Sequence, residues 1–275
     1  MPTGGASELR LRVISACLFS PAILALAYFG GAAFFALVLL VALRAAWEFY
    51  GMAKAAGRRP QRPAGLAAVA GICCYIYIFG SAGIEAPLVL AVLLGMLAAL
   101  RTGAQGYAAN AFLTVGGALY VGFLCGVSLL LDASLAEHGS DGRFLLMALF
   151  ACIGFTDAGA YASGRLWGKR KLAPGISPGK TVVGFVGGLV AGQIPLLLGG
   201  HISFVGTAAL AGLFLAVSVT GQLGDLVESA LKRDFGVKDA PAFIPGHGGA
   251  LDRFDSYLVA FPTAYLYLGA LSGPA

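Results

Sequence analysis

Residues 107–131 read YAANAFLTVGGALYVGFLCGVSLLL, without a single Asp, Glu, Lys or Arg. A helix needs roughly 20 predominantly apolar residues to cross a bilayer, so this run reads as a transmembrane span. Outward from it, apolar runs recur along the chain at about 13–29, 31–52, 65–82, 86–101, 143–164, 181–199, 204–227 and 249–271. Between them lie Gly30-Gly31, Arg58-Arg59-Pro60, Gly83–Pro87, Thr102–Gly106, Asp132–Gly142, Gly168–Pro178, Gly199-Gly200 and Asp234–Gly249. The composition agrees: 59% of the 275 residues are hydrophobic and only 11% are charged, against about 25% charged in soluble domains. Mean hydropathy is +0.85. A water-soluble globule, a secreted disulfide scaffold and a disordered chain are excluded. The expected fold class is all-α, a polytopic integral membrane protein of about nine helices. Residues 1–142 would form a scaffold of about five spans and 143–275 a catalytic region of about four, all within one membrane unit without a separate soluble domain.

The basic residues orient these spans. Arg10 and Arg12 precede the first; Lys54, Arg58, Arg59 and Arg62 follow the second; Arg101 follows the fourth. Arg165, Lys169, Arg170 and Lys171 follow the sixth, and Lys232, Arg233 and Lys238 the eighth. The alternate loops carry Glu85, or Asp132, Glu137 and Asp141, with almost no Lys or Arg. The positive-inside rule then gives an N-in/C-out topology. The net charge of +5 reports cytoplasmic loops, and no nucleic acid is expected, since no basic run is interleaved with aromatics. The cysteines Cys17, Cys73, Cys74, Cys125 and Cys152 lie in apolar stretches without a CxxC pair and read as buried, inert thiols. Ile14-Ser15-Ala16-Cys17 has the look of a lipoprotein cleavage box, but too little apolar sequence precedes it, and no cleaved leader is expected. Gly184, Gly188 and Gly192 recur at i, i+4, i+8 and read as a helix-packing seam; the seam could serve within one subunit or between two, which leaves a homodimer open.

Charge collects near the C terminus. From Asp225 to Asp255 there are ten charges in 31 residues, six acidic and four basic. Asp225 and Glu228 fall at the predicted end of one span, Asp252 and Asp255 at the predicted start of the next. Carboxylates there are costly unless paired or metal-bound. Each pair has i, i+3 spacing and so shares a helix face, which Ser229 and Lys232 extend. Facing pairs would make an oxygen-rich site of the kind hard cations such as Mg²⁺ choose, together with substrate phosphates. No Cys or His set has zinc spacing. His247, between Gly246 and Gly248, is expected to order the loop by hydrogen bonding or to touch substrate.

A second cluster runs TDAGAYASGRLWGKRKLAPGISPGKT from Thr156 to Thr181. Asp157 and Tyr161 are i, i+4 near the cytoplasmic end of the sixth span. Ser177-Pro178-Gly179-Lys180-Thr181 leads directly into the seventh. Backbone N–H groups, a helix dipole, a lysine and hydroxyls together suit a phosphate. It is not a Walker loop: position 174 is Pro where that pattern needs Gly, and no strand is expected before it.

Ser229-Ala-Leu-Lys-Arg, Lys238-Asp239 and Pro245-Gly-His-Gly-Gly-Ala-Leu-Asp252-Arg-Phe-Asp255 closely resemble the phosphatidate cytidylyltransferase signature. The DAGAYASGR and SPGKT segments resemble family motifs in the same order, with Ala158 where Ser or Thr is common and Val183 where Glu or Gln is common. The likeness is strong over about residues 150–260. It implies synthesis of CDP-diacylglycerol from CTP and phosphatidic acid, a divalent-cation site, usually Mg²⁺, served by Asp225, Asp252 and Asp255, and phosphate-binding roles for Ser229, Lys232, Arg233 and Lys238.

The expected chemistry is attack of the lipid phosphate on the α-phosphorus of CTP, with Asp225, Asp252, Lys232 and Arg233 as the catalytic set. Asp225 and Asp252 are the first metal ligands, with Asp255 and Glu228 next, for one or two divalent ions or a monovalent second ion. Asp157, Tyr161, Ser177, Lys180, Thr181, Ser229, Lys238, His247 and Arg253 are expected around the substrates. The partners are then CTP, phosphatidic acid and the membrane lipids. The site would face the cytoplasm from the inner membrane. A CTP-dependent polyprenol kinase and, less well, a secondary transporter are the rival readings. A CDP-alcohol phosphotransferase is excluded, because its DGxxAR…GxxxDxxxD pattern does not occur.

Overall fold

Apolar runs punctuated by glycine and proline fold here as helices. A computed structural model describes residues 21–238 and 249–272. After a helical segment at 21–29 come α1 (Gly31–Ala55), α2 (Arg62–Phe79) and α3 (Glu85–Ala99), the last extended by a 3₁₀ turn. Next, α4 (Tyr107–Gly117) and α5 (Leu124–Ala136) are joined through a π-helical stretch at Ala118–Phe123. Beyond them lie α6 (Gly139–Trp167), a two-stranded antiparallel hairpin of β1 (Lys171–Ala173) and β2 (Ser177–Thr181), α7 (Val182–Ala191), α8 (Thr207–Asp234) and α9 (Leu251–Ser272). Six helical rods among the described residues are long and apolar enough to cross a membrane. The protein is a polytopic membrane protein of the all-α class, to which the short hairpin adds a little sheet. Large apolar side chains such as Leu40, Ile78, Leu97, Phe112, Val190 and Leu266 are exposed on its outside, as lipid contact requires.

Three local expectations are corrected. The seventh run, expected to be one helix over 181–199, breaks after Ala191 and continues as a 3₁₀ segment, Ile194–His201. Pro195 cannot donate to the carbonyl one turn back, an effect that averaged apolarity conceals. The loop expected over 132–142 shrinks to residues 137–138 between α5 and α6. Asp132 belongs to α5, buried, where it pairs with Arg143 and accepts the Gly31 N–H at 3.1 Å. Residues 171–181, read as loop, form the hairpin, with Lys171 opposite Thr181 and Ala173 opposite Ser177.

The glycine seam packs inside the chain. A Cβ at Gly184 would lie 2.8 Å from the Ala160 carbonyl, and one at Gly188 2.9 Å from that of Thr156, while Gly192 faces Ser218 and Thr156. Glycine alone lets α7 approach α6 and α8 this closely. Polar side chains close the same junction. Thr156 and Ser218 hydroxyls are 2.8 Å apart, and Gln222 Nε2 donates to the Phe185 carbonyl at 3.2 Å. Cys73, Cys125 and Cys152 are buried and free, and Cys74 is half-buried and free; Cys17 lies outside the described residues.

Contacts sort the helix ends into two groups. The Asp132–Gly31 bond and the bond from the Ser203 N–H to Asp141 gather the start of α1, the end of α5, the start of α6 and the approach to α8. At the opposite end, the loop after α1 is pinned to α4: Arg59 N–H donates to Asn110 Oδ1 and Gln61 N–H to Thr114 Oγ1. The end of α1 also meets the start of α9, as described below. The basic clusters at 54–62, 165–171 and 232–238 span the last turns of α1, α6 and α8 and the residues just beyond, at this second end.

Candidate active site

On α8, Asp225, Glu228, Ser229 and Lys232 are spaced i, i+3, i+4 and i+7 and so stand on one face. This face meets the first turns of α9. Carboxylate oxygens of Asp225, Glu228 and Asp255 lie within 4.8 Å of one another. Glu228 is fully buried and Asp255 is 8% exposed. Lys232 Nζ sits between two acids, 2.6 Å from Glu228 Oε2 and 2.8 Å from Asp252 Oδ1. The other oxygen of Asp252 accepts the Gly249 N–H at 3.1 Å. Asp252 lies at the positive end of the α9 dipole, and Lys232 near the negative end of α8, so each helix stabilises the charge at its tip.

The hairpin delivers the second cluster to the same place. Thr181 ends β2 and caps α7, its hydroxyl accepting the Gly184 N–H at 3.0 Å. The residue before it, Lys180, places Nζ 2.8 Å from Asp225 Oδ2. Asp157, Tyr161, Lys171, Lys180, Thr181 and Asp225 line a cleft of about 610 Å³, a size suited to a small-molecule ligand. Several glycines form its wall, Gly164, Gly168, Gly179 and Gly184, leaving backbone accessible to a polar ligand.

Among the described residues, four carboxylates, Asp225, Glu228, Asp252 and Asp255, gather around the ammonium groups of Lys180 and Lys232. A partly buried cluster of carboxylate oxygens is the kind of donor set a hard divalent cation takes. The donor set therefore fits a hard cation, and Asp225, Glu228 and Asp255 are the group whose oxygens converge.

Most sequence-predicted residues meet here, in altered groupings. Asp252, expected beside Asp225 as a first metal ligand, is tied to Lys232, while Glu228 and Asp255 join Asp225. Ser229 Oγ donates weakly to Asp225 Oδ1 at 3.5 Å. Tyr161 is exposed on the cleft wall and its hydroxyl accepts from Arg165 at 2.8 Å. Arg233 donates to the carbonyls of Ile176 and Val237, both at 3.3 Å, bracing the hairpin against the end of α8. Ser177 opens β2, half-buried, and Lys238 and Arg253 are exposed. His247 lies outside the described residues.

One residue escaped the sequence reading. Glu48, on α1, is fully buried. Its oxygens accept the N–H groups of Ala250 at 2.9 Å and Leu251 at 2.8 Å, and Arg44 Nε lies 3.0 Å away. An Arg and a Glu at i, i+4 inside an apolar run are the signal that could have found it.

Comparison with known proteins bears on this site. The profile of the cytidylyltransferase family matches residues 10–271. A phosphatidate cytidylyltransferase of Staphylococcus saprophyticus is 48% identical over 136 residues, 49% of this chain and 52% of that protein. One of Staphylococcus haemolyticus is 47% identical over 131 residues, 47% and 50% of the two chains. That of Bacillus subtilis is 44% identical over 168 residues, 58% and 59%. The chain spans about half the length of the first of these relatives.

Proposed function

The chain belongs to the cytidylyltransferase family, and from that premise we propose that it transfers the cytidylyl group of CTP to phosphatidic acid, giving CDP-diacylglycerol and pyrophosphate. The observation that carries this reading is the convergence of Asp225, Glu228 and Asp255, with Asp225 paired to Lys180 on the wall of the cleft. A phosphate oxygen of the lipid attacks the α-phosphorus of CTP. The new phosphoanhydride forms as the α–β bond breaks, and pyrophosphate carries the electron pair away. The nucleophile is already an anion, so no Ser, Cys or His base is required.

The obstacle is repulsion between two polyanions. At an effective dielectric near 20, each unit pair at about 4 Å repels by about 4 kcal/mol. A divalent cation, taken as Mg²⁺, would be held by Asp225, Glu228 and Asp255, with Asp252 adjacent, and would supply the positive charge that lets the phosphates meet; a second divalent or monovalent ion fits the same reading. Lys180 adds charge from the hairpin side, and the backbone before α7 offers N–H groups to the triphosphate. Lys232 holds Glu228 and Asp252 in place between α8 and α9. Asp157, Tyr161 and Thr181 line the substrate cleft, Ser229 stands beside Asp225, and Ser177, Arg233, Lys238 and Arg253 would add hydroxyl and positive charge for the phosphates.

The grouping of basic loops at the cleft end supports an N-in/C-out arrangement with the site at the cytoplasmic face of the inner membrane, where CTP arrives from water and phosphatidate from the bilayer. In this reading residues 1–142 are scaffold and 143–275 carry the chemistry. The test is product analysis with α-labelled CTP and phosphatidate in mixed micelles. Label in the lipid with one pyrophosphate released per turnover is expected. Label recovered as CDP, with phosphate added to a lipid alcohol, would replace the reading with that of a lipid kinase.

A further inference from the structure

We propose that Glu48 is a positioning residue of this site, an imported N-cap that aims Asp252 and Asp255 by holding the first turn of α9. The inference rests on the reading given under Proposed function. The first N–H groups of any helix lack partners within it, and a side-chain acceptor just before the helix usually takes them. Here Gly249 and Ala250 carry no such acceptor. The acceptor comes instead from α1, 202 positions away in sequence. Glu48 engages two of these donors, Ala250 N–H with Oε1 and Leu251 N–H with Oε2.

Two features point beyond simple packing. First, the residue is a fully buried carboxylate, an expensive choice inside a membrane helix, and Arg44 is committed beside it at 3.0 Å. Second, the residue after Leu251 is Asp252, and Asp255 follows one turn later on the same helix. Any tilt or fraying of this turn moves both acids relative to Asp225 and Glu228. Catalytic groups must be held within about half an ångström of their working positions. Glu48 therefore couples the N-terminal helices, which otherwise read as scaffold, directly to the geometry of the acidic cluster.

The test compares wild type with Glu48→Gln and Glu48→Asp in detergent. The amide keeps the size of Glu48 but offers one acceptor oxygen where two are used. Expected for Glu48→Gln are a kcat lowered about tenfold with a KM for CTP changed less than about threefold, and weaker Mn²⁺ binding measured by spin resonance without nucleotide or lipid. Amide exchange at Ala250 and Leu251 should quicken, and Glu48→Asp should fall between the two. Unchanged kcat together with unchanged Mn²⁺ affinity in a folded Glu48→Gln protein would overturn the inference. Should that variant fail to fold, the same two readouts on Glu48→Asp decide it, wild-type values again counting against the cap. A wild type that makes no CDP-lipid refutes the proposed reaction instead, and the Mn²⁺ and exchange measurements still rule on Glu48.

Discussion

Lys180 Nζ lies 2.8 Å from Asp225 Oδ2, and this pair joins the hairpin to the acidic face of α8. Two charged stretches far apart in sequence thereby become one site. The lysine is 26% exposed and the aspartate 36%, so a phosphate entering the cleft can compete for the ammonium group. Replacing Lys180 with Ala should raise the KM for CTP about tenfold or more, in line with loss of a charge-assisted contact, while membrane insertion and melting temperature stay near wild type. Steady-state kinetics on the purified variant check this; an unchanged KM and kcat would remove Lys180 from the nucleotide site.

Asp225→Asn and Asp255→Asn should each abolish nearly all turnover in protein that still melts cooperatively. Each substitution removes a charged oxygen donor from the converging group and leaves volume unchanged. Asp252→Asn should also be severely impaired, because Lys232 would lose one of its two acidic partners. The check is label transfer from CTP to lipid alongside thermal unfolding. Wild-type rates in Asp225→Asn would contradict the metal assignment.

Lys232→Met should destabilise the protein as well as inactivate it. Glu228 is fully buried and its Oε2 faces Lys232 at 2.6 Å. Removing one partner of a buried pair costs about 3–5 kcal/mol, since the other charge is left uncompensated. The double variant Lys232→Met/Glu228→Leu should recover much of the lost stability without recovering activity. Thermal unfolding of the two variants measures the difference.

Gly188→Val should disrupt the junction of α6, α7 and α8. A Cβ there would already lie 2.9 Å from the Thr156 carbonyl, and the branched side chain has no space to relax into. A loss of about 1–3 kcal/mol is expected from overpacking, read as a lowered melting temperature. Gly175→Ala, where no neighbouring atom stands within 4 Å of an added Cβ, is the control and should melt like wild type.

The sequence announced the helices because apolarity, unlike pairing, is a local property: the runs at 31–52 and 107–131 need no partner to be recognised. Glycine at 30 and 31, with φ of +64° and +52°, marked a real break. The hairpin was hidden because strands of 3 and 5 residues are too short to show a periodic pattern, and their register depends on each other. Pro195 was hidden inside an apolar average. In the site, i, i+3 spacing revealed which acids share a helix face, but not how α9 is rotated against α8. That rotation brings Asp255, with Glu228, toward Asp225 and gives Asp252 to Lys232. Glu48 was visible as a charge in an apolar run, yet its meaning lay in two amides 202 and 203 positions away.

The central claim is that the acids of α8 and α9 hold a cation where nucleotide and lipid phosphates meet. A structure with Mg²⁺ and a non-hydrolysable CTP analogue tests it most directly. The account predicts an ion with oxygens of Asp225, Glu228 or Asp255 at about 2.0–2.1 Å and the triphosphate beside Lys180. An ion bound elsewhere, or a nucleotide seated away from the hairpin cleft, would contradict it.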